Sequence, residues 1–201
     1  MGLRIFIIAA ALLSIERLWY AWVWRAPEDF KAWCARSLPA WIGDPVDVVR
    51  LFFFLFKILQ CSVFLAWCLI QSDGSLLPRD GTTLSLMAGT ALIIAGQILN
   101  VSVFYRLGKV GVFYGSKLGY RVRWSKRFPF SYLEHPQYVG AVLSIWGFFL
   151  IMRFPHADWY MLPALETVYY TLGAYLEGAD PRIVCTARPD SVNDQIHSDA
   201  S

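Results

Sequence analysis

LGKVGVFYGSKLGYRVRWSKRFPFSYLEHPQYVG, residues 107–140, lies between long apolar runs, and its reading decides the fold. With Arg106 it carries seven Lys/Arg side chains against one acid, Glu134. Glycine recurs at 108, 111, 115, 119 and 140, while Pro129 and Pro136 break the second half. A soluble enzyme can own such a loop, but the flanking runs here read as membrane, which makes this segment an interfacial one.

Composition agrees. Of 201 residues, 57% are apolar and 16% charged, with a mean hydropathy of +0.44. Soluble domains carry about 25% charged residues. The expected fold is therefore all-α, a polytopic transmembrane helical bundle of four or five membrane segments over residues 1–180, followed by a polar tail over 181–201. The net charge of +3 is small, but most of it sits in the central segment. Cys34, Cys61, Cys68 and Cys185 show no metal-ligand spacing, and Cys61 and Cys68, seven apart on one helix face, read as two buried thiols packed as small hydrophobes. Neither a disulfide framework nor a metal site is implied.

Upstream, residues 84–105 form the adjoining span, where Gly89 and Gly96 with Ser85, Ala88 and Ala95 permit close helix packing. Gln97 and Asn100, near its far end, either line a polar pocket or bond across the bundle. Turn signals fill 71–83 (Asp73-Gly74, Pro78, Asp80-Gly81). Residues 48–70 form the preceding span, interrupted by Lys57 and Gln60; Lys57 is expected to snorkel or to pair within the bundle. Residues 25–47 read as a connector along the interface, broken by Pro27, Pro39, Gly43 and Pro45. Residues 3–24 are long enough to span, and Trp19, Tyr20, Trp22 and Trp24 suit an interfacial belt. Glu16-Arg17 inside that run is costly unless it faces protein, so the segment either spans or is tilted, re-entrant or peripheral.

Downstream, residues 138–154 and 159–176 read as a helical hairpin turning at 155–158, with Pro163 and Glu166 interrupting the second arm. The distribution of Lys and Arg sets the topology. It puts 25–47 and the central segment in the cytosol, 71–83 and 155–158 in the lumen, and the tail back in the cytosol. The central segment, the end of the 84–105 span and Glu177 then converge on one membrane face. A site there meets a water-soluble reagent from one side and a lipid from the other.

The glycine pattern is not a dinucleotide fingerprint, since no strand precedes it in a βαβ unit. Its glycines either admit a ligand close to the backbone or pack helices. The basic residues are either a positive-inside flank drawn to anionic headgroups or, at Arg121 and Arg123 beside Trp124, charge-assisted contacts to a phosphate. The patch is too short and too close to membrane to suit nucleic acid. His135, before Pro136, marks a helix start or handles a proton. Tyr138 and Gly140 follow it into that helix. Glu177 is either a solvent-facing carboxylate or the partner of a cationic group or amine.

These residues carry a resemblance. LG..G.FYG..LGY, RFPF, HPQYVG and the SIWGFF continuation are similar to the phospholipid N-methyltransferases, the membrane enzymes that methylate phosphatidylethanolamine and its mono- and dimethyl derivatives to phosphatidylcholine. The likeness is strongest over 107–147 and weakens over the first eighty residues. A wider group that includes the isoprenylcysteine carboxyl methyltransferases shares the HPxYxG element, whereas RFPF and the glycines favour the phospholipid branch.

The resemblance implies S-adenosyl-L-methionine as methyl donor, no metal, and a membrane phospholipid as acceptor. It implies a donor site at Gly108, Gly111, Gly115, Gly119 and Glu177, the family's Glu-Glu pair reading Glu177-Gly178 here. His135, Glu177 and Tyr138 are the candidate catalytic residues, although the position of His135 can be asparagine in the resembling enzymes. Arg121 and Arg123 are candidates for the lipid phosphate, and Phe113, Tyr114 or Tyr120 for aromatic faces that tolerate a quaternary headgroup. The implied location is the endoplasmic reticulum membrane with a cytosolic active face, a mitochondrial membrane being the alternative. Oligomeric state is not legible. Two other readings stand beside this one: a methyltransferase acting on another acceptor such as prenylcysteine carboxylate, and a non-catalytic scaffold or transport component with Lys57, Gln60, Gln97, Asn100 and Glu166 as a polar conduit.

Overall fold

The computed structural model of the chain describes residues 2–39, 42–71, 81–122 and 124–178. The turn expected at 71–83 lies largely outside them, as do Arg123, Cys185 and the tail over 181–201. The described residues form six α-helices and no strand: α1 (Gly2–Arg25), α2 (Pro27–Ser37), α3 (Pro45–Gln71), α4 (Thr83–Val112), α5 (Pro136–Met152) and α6 (Met161–Gly178). Three of them, α1, α3 and α4, are long and apolar enough to cross a membrane. At 24 to 30 residues each exceeds the roughly 20 needed for about 30 Å of hydrocarbon. Helix α5 is apolar but shorter, at 17 residues, and α6 carries Glu166 and Glu177 within 18. Three spans, rather than the four or five expected, meet that criterion.

Two elements depart from the sequence reading. The connector at 25–47 contains helix α2, started by Pro27 and by Glu28 and Asp29 in its first turn, where proline geometry and acidic side chains favour a helix. Phe30 and Cys34, one turn apart, bury against Val23, Val46, Val49 and Phe113. Helix α4 runs to Val112 instead of ending near 105, because Gly108 accommodates a bend within it at φ 61°, ψ −173°. That left-handed backbone is open to glycine at little steric cost. Its start is conventional, with the Thr82 side chain accepting a bond from the Ser85 N–H at 3.1 Å.

The helices alternate in direction. One end gathers the C-termini of α1, α4 and α6 with the N-termini of α3 and α5. At the other, the Gln71 amide donates to Asp158 at 2.8 Å and Arg153 pairs with the same carboxylate at 2.6 Å. A core of Leu13, Phe64, Trp67, Ile145, Phe149 and Leu162 joins α1, α3, α5 and α6. Cys68 is buried as expected, whereas Cys61, expected to be buried with it, is exposed on α3; Cys34 is buried on α2.

Helix α4 packs most closely on α5, through the small residues singled out in the sequence. Gly89 faces Gly147, and Gly96 faces Gly140. A Cβ at Gly147 would fall 2.8 Å from Ile93 Cγ1 and against the Gly89 carbonyl oxygen. Gly147→Ala is therefore expected to destabilise the bundle by about 1–3 kcal/mol through overpacking, measured as a lower midpoint of thermal unfolding in detergent. An unchanged midpoint would contradict this account of the α4–α5 contact.

The Glu16-Arg17 pair faces protein. Glu16 and Glu166 are 3% and 1% exposed. Arg17 donates to Glu166 at 3.2 Å, and Lys57 meets Glu16 at 3.1 Å and donates to Gln60 and Tyr170. Gln60 bonds the other oxygen of Glu166 at 2.8 Å. Lys57 thus pairs within the bundle, and two carboxylates balance two cations between α1, α3 and α6.

Candidate active site

A cavity of about 830 Å³ occupies the end of the bundle where the C-termini of α1, α4 and α6 meet. Pockets of about 300–1,000 Å³ hold small ligands. Trp24, Tyr114, His135, Tyr138 and Glu177 line its mouth; Arg17, Lys57, Gln60 and Asn100 line its deeper part; Phe53, Phe64, Phe104 and Phe148 supply apolar walls. Helices α3 and α4 barely touch apart from Lys109–Asp47 and the rings of Phe53, Phe104 and Phe113 near this end. The cavity lining between them includes exposed Cys61, Leu65, Gln97 and Phe104.

The mouth is organised by one carboxylate. The Tyr114 hydroxyl donates to Glu177 Oε1 at 2.8 Å, the Tyr138 hydroxyl donates to the same oxygen, and the two hydroxyls lie 3.4 Å apart. No described residue donates to Oε2. His135 lies at the N-terminus of α5, as the sequence predicts, and its ring stacks on Tyr138 with centroids 5.6 Å apart.

Tyr114 holds a left-handed backbone at φ 55°, which disfavours a residue with a Cβ by roughly 1–2 kcal/mol. Its ring is wedged edge-on against Trp24 and Tyr20, at 5.4 and 5.7 Å between centroids. Strained residues of this kind cluster at functional sites. Burial, then the neighbouring Tyr138 and Glu177, push the Tyr114 phenol well above its usual range, so at neutral pH it keeps its proton and serves as a donor.

The glycines separate by role. Gly111 lines the cavity, Gly108 bends α4, Gly115 closes a tight turn by bonding its N–H to the Val110 carbonyl, and Gly119 adopts φ 91° at an exposed position. Arg121 is exposed and does not line the cavity; Arg123 lies outside the described residues. Phe113 and Tyr114 line the cavity, while Tyr120 does not. Gln97 and Asn100 both reach it, and Gln97 also bonds Ser144 across the α4–α5 contact at 3.0 Å.

The sequence reading missed the contribution of α1 and α3. Tyr20 and Trp24, read as an interfacial belt, turn inward to the cavity with Arg17. The spacing 17, 20, 24 places all three on one face of a helix, and that is the signal that could have found them. Lys117 holds its ammonium 4.2 Å above the Trp24 ring, so this face already receives a cation.

Residues 84–178, which span α4 to α6, match the model of a family described as phospholipid methyltransferase. Over 54 residues the chain is 41% identical to the phosphatidyl-N-methylethanolamine N-methyltransferase of Arabidopsis thaliana, a match that covers 27% of this chain and 33% of that protein. The chain thus spans about a third of the length of the curated relative it matches. No solved structure matches it.

Proposed function

We propose that this chain, whose residues 84–178 match the model of the phospholipid methyltransferase family, is a member of it and transfers methyl groups from S-adenosylmethionine to the nitrogen of phosphatidylethanolamine or its mono- and dimethyl derivatives, leading to phosphatidylcholine. The observation that carries this reading is the Tyr114–Glu177–Tyr138 cluster at the mouth of a cavity whose lining is largely aromatic and apolar and includes exposed residues of α3 and α4. A lipid enters by its tails and presents its headgroup nitrogen to a carboxylate held by two phenols.

The methyl donor supplies an electrophilic methyl group on a positively charged sulfur. The residues present fit a ligand of that charge. The rings of Trp24 and Tyr114 offer cation-attracting faces, and Glu177 offers one acceptor oxygen that no described residue occupies. We assign Gly111 and Glu177 to the donor, with Gly108, Gly115 and Gly119 shaping the segment around it. The acceptor nitrogen must lose a proton before it can attack, since an exposed primary ammonium is mostly protonated at neutral pH. Glu177 receives the ammonium, and with His135 at the mouth it takes that proton away. Tyr138 fixes the carboxylate, so that the remaining task is alignment of nitrogen, methyl and sulfur. Arg121 meets lipid headgroups at the surface, and Arg123 is assigned with it.

On this reading α5 and α6 complete the membrane part of the bundle, bringing the segments to five. The mouth faces the cytosol, where the basic central segment is favoured, and the membrane is that of the endoplasmic reticulum. The chain should label lipids when expressed in a host lacking phosphatidylcholine and fed labelled methionine. Mono-, di- and trimethylated species together indicate all three steps; label only on supplied monomethyl lipid confines the chain to the later ones. Absence of labelled phospholipid from a folded, inserted protein defeats the proposal and moves a carboxylate acceptor to first place.

A further inference from the structure

Two buried polar atoms on one face of α1 have no hydrogen-bond partner among the described residues: Arg17 Nε and the Tyr20 hydroxyl oxygen. Both residues line the cavity. The rest of Arg17 is committed, to Glu166 at 3.2 Å and to the face of Tyr170, and Lys57 uses its ammonium on Glu16, Gln60 and Tyr170. Leaving a buried donor unsatisfied disfavours a fold by about 1–3 kcal/mol, so two neighbouring ones beside a cavity call for an acceptor from outside the chain.

We infer that Arg17 Nε and the Tyr20 hydroxyl form an anion seat for the phosphodiester of the lipid acceptor. This assignment rests on the function proposed above. Depth supports it. At about 1.5 Å per residue, Tyr20 and Arg17 lie roughly 8 and 12 Å inside the end of α1 at Arg25, below Trp24. Glu177, at the end of α6, lies at the mouth, and the Tyr20 ring touches Tyr114, which bonds that carboxylate. The order from the mouth inward is carboxylate, then anion seat, with Lys57 and Gln60 beside the apolar walls of Phe64 and Phe148 further in. A phospholipid headgroup in a leaflet has the same order: ammonium, phosphate, tails.

Glu16 and Glu166 balance Arg17 and Lys57, so the seat offers hydrogen-bond donors rather than net positive charge. The zwitterionic ligand then places its phosphate on a guanidinium and its nitrogen near Glu177.

Tyr20→Phe tests the seat cleanly, because the hydroxyl has no partner among the described residues to lose. With purified full-length protein and dioleoyl phosphatidyl-N-monomethylethanolamine in mixed micelles, the variant should raise the lipid KM about tenfold or more, the loss expected for one hydrogen bond to a charged group. Binding of S-adenosylmethionine should stay unchanged, and the unfolding midpoint should match or exceed that of the wild type. A weakened S-adenosylmethionine affinity with an unchanged lipid KM would overturn the assignment and transfer the seat to that ligand's carboxylate. Unchanged values for both, or a lower midpoint as the only effect, would also overturn it. Should the wild-type chain methylate no lipid, the function reading fails separately, and retention of labelled dioleoyl phosphatidylethanolamine by immobilised protein decides the seat: weaker retention by Tyr20→Phe supports it, equal retention overturns it.

Discussion

Glu177→Gln is expected to lower methyl transfer about 100- to 1,000-fold, the range seen when one preorganised electrostatic contact to the reacting groups is removed. Glutamine keeps the length and shape of the side chain, so the fold and the cavity should persist. What it lacks is charge. Tyr114 and Tyr138 both donate to Oε1, and glutamine can still accept both bonds if its carbonyl takes that place. Its NH₂ group then occupies the position of Oε2, where a donor opposes both a cation and an ammonium that must give up its proton. In the opposite orientation the NH₂ group faces two phenolic donors, of which Tyr114 keeps its proton at neutral pH because burial and its neighbours push its phenol upward. Neither orientation restores function. Rate and donor affinity, measured by initial velocities and by titration calorimetry, divide the effect between chemistry and binding. A variant that keeps more than a third of the wild-type rate with its thermal midpoint intact would remove Glu177 from the site.

The spans of α1, α3 and α4 were legible because long apolar runs have few alternatives to helix in hydrocarbon, where every backbone polar group must be satisfied internally. The α4–α5 contact was legible in Gly89 and Gly96, although the partners Gly140 and Gly147 had to come from the fold. Helix α2 was not. Eleven residues with a polar average and flanking prolines look like a connector, and only burial of Phe30 and Cys34 makes them a stable helix, since tertiary packing rather than propensity sustains short helices. The far end of α4 was misread because Gly108 resembles a stop signal while acting as a bend.

The site divides along the same line. Tyr138, Glu177 and His135 stand beside helix ends whose positions follow from proline and from the limits of apolar runs. Tyr20 and Trp24 were hidden in a helix whose aromatic residues suit a membrane interface equally well. Which face of a membrane helix turns inward depends on its neighbours, and hydropathy is nearly uniform around it. The polar residues Glu16, Arg17 and Lys57 were the guide, since ionisable groups within membrane segments face the bundle interior.

That cluster yields the largest expected effect on stability. Lys57→Met should destabilise the protein by about 3–5 kcal/mol, because removing one member of a buried pair leaves its partner's charge uncompensated. Glu16, 3% exposed, would retain only Arg17 at 3.9 Å, a guanidinium already bonded to Glu166 at 3.2 Å. Gln60 and Tyr170 would each lose the ammonium that donates to them. Methionine fills nearly the volume of the lysine stem, so the loss reports charge and hydrogen bonding rather than a void. Adding Glu16→Gln removes the stranded carboxylate, and the double variant should recover most of the stability, as buried ion pairs replaced together are often close to neutral. Thermal unfolding of the wild type, the two single variants and the double variant closes the cycle. Equal stability of Lys57→Met and wild type, or strictly additive losses, would mean that the pair is solvated through the cavity. The inward orientation of α1 would then rest on its aromatic contacts alone.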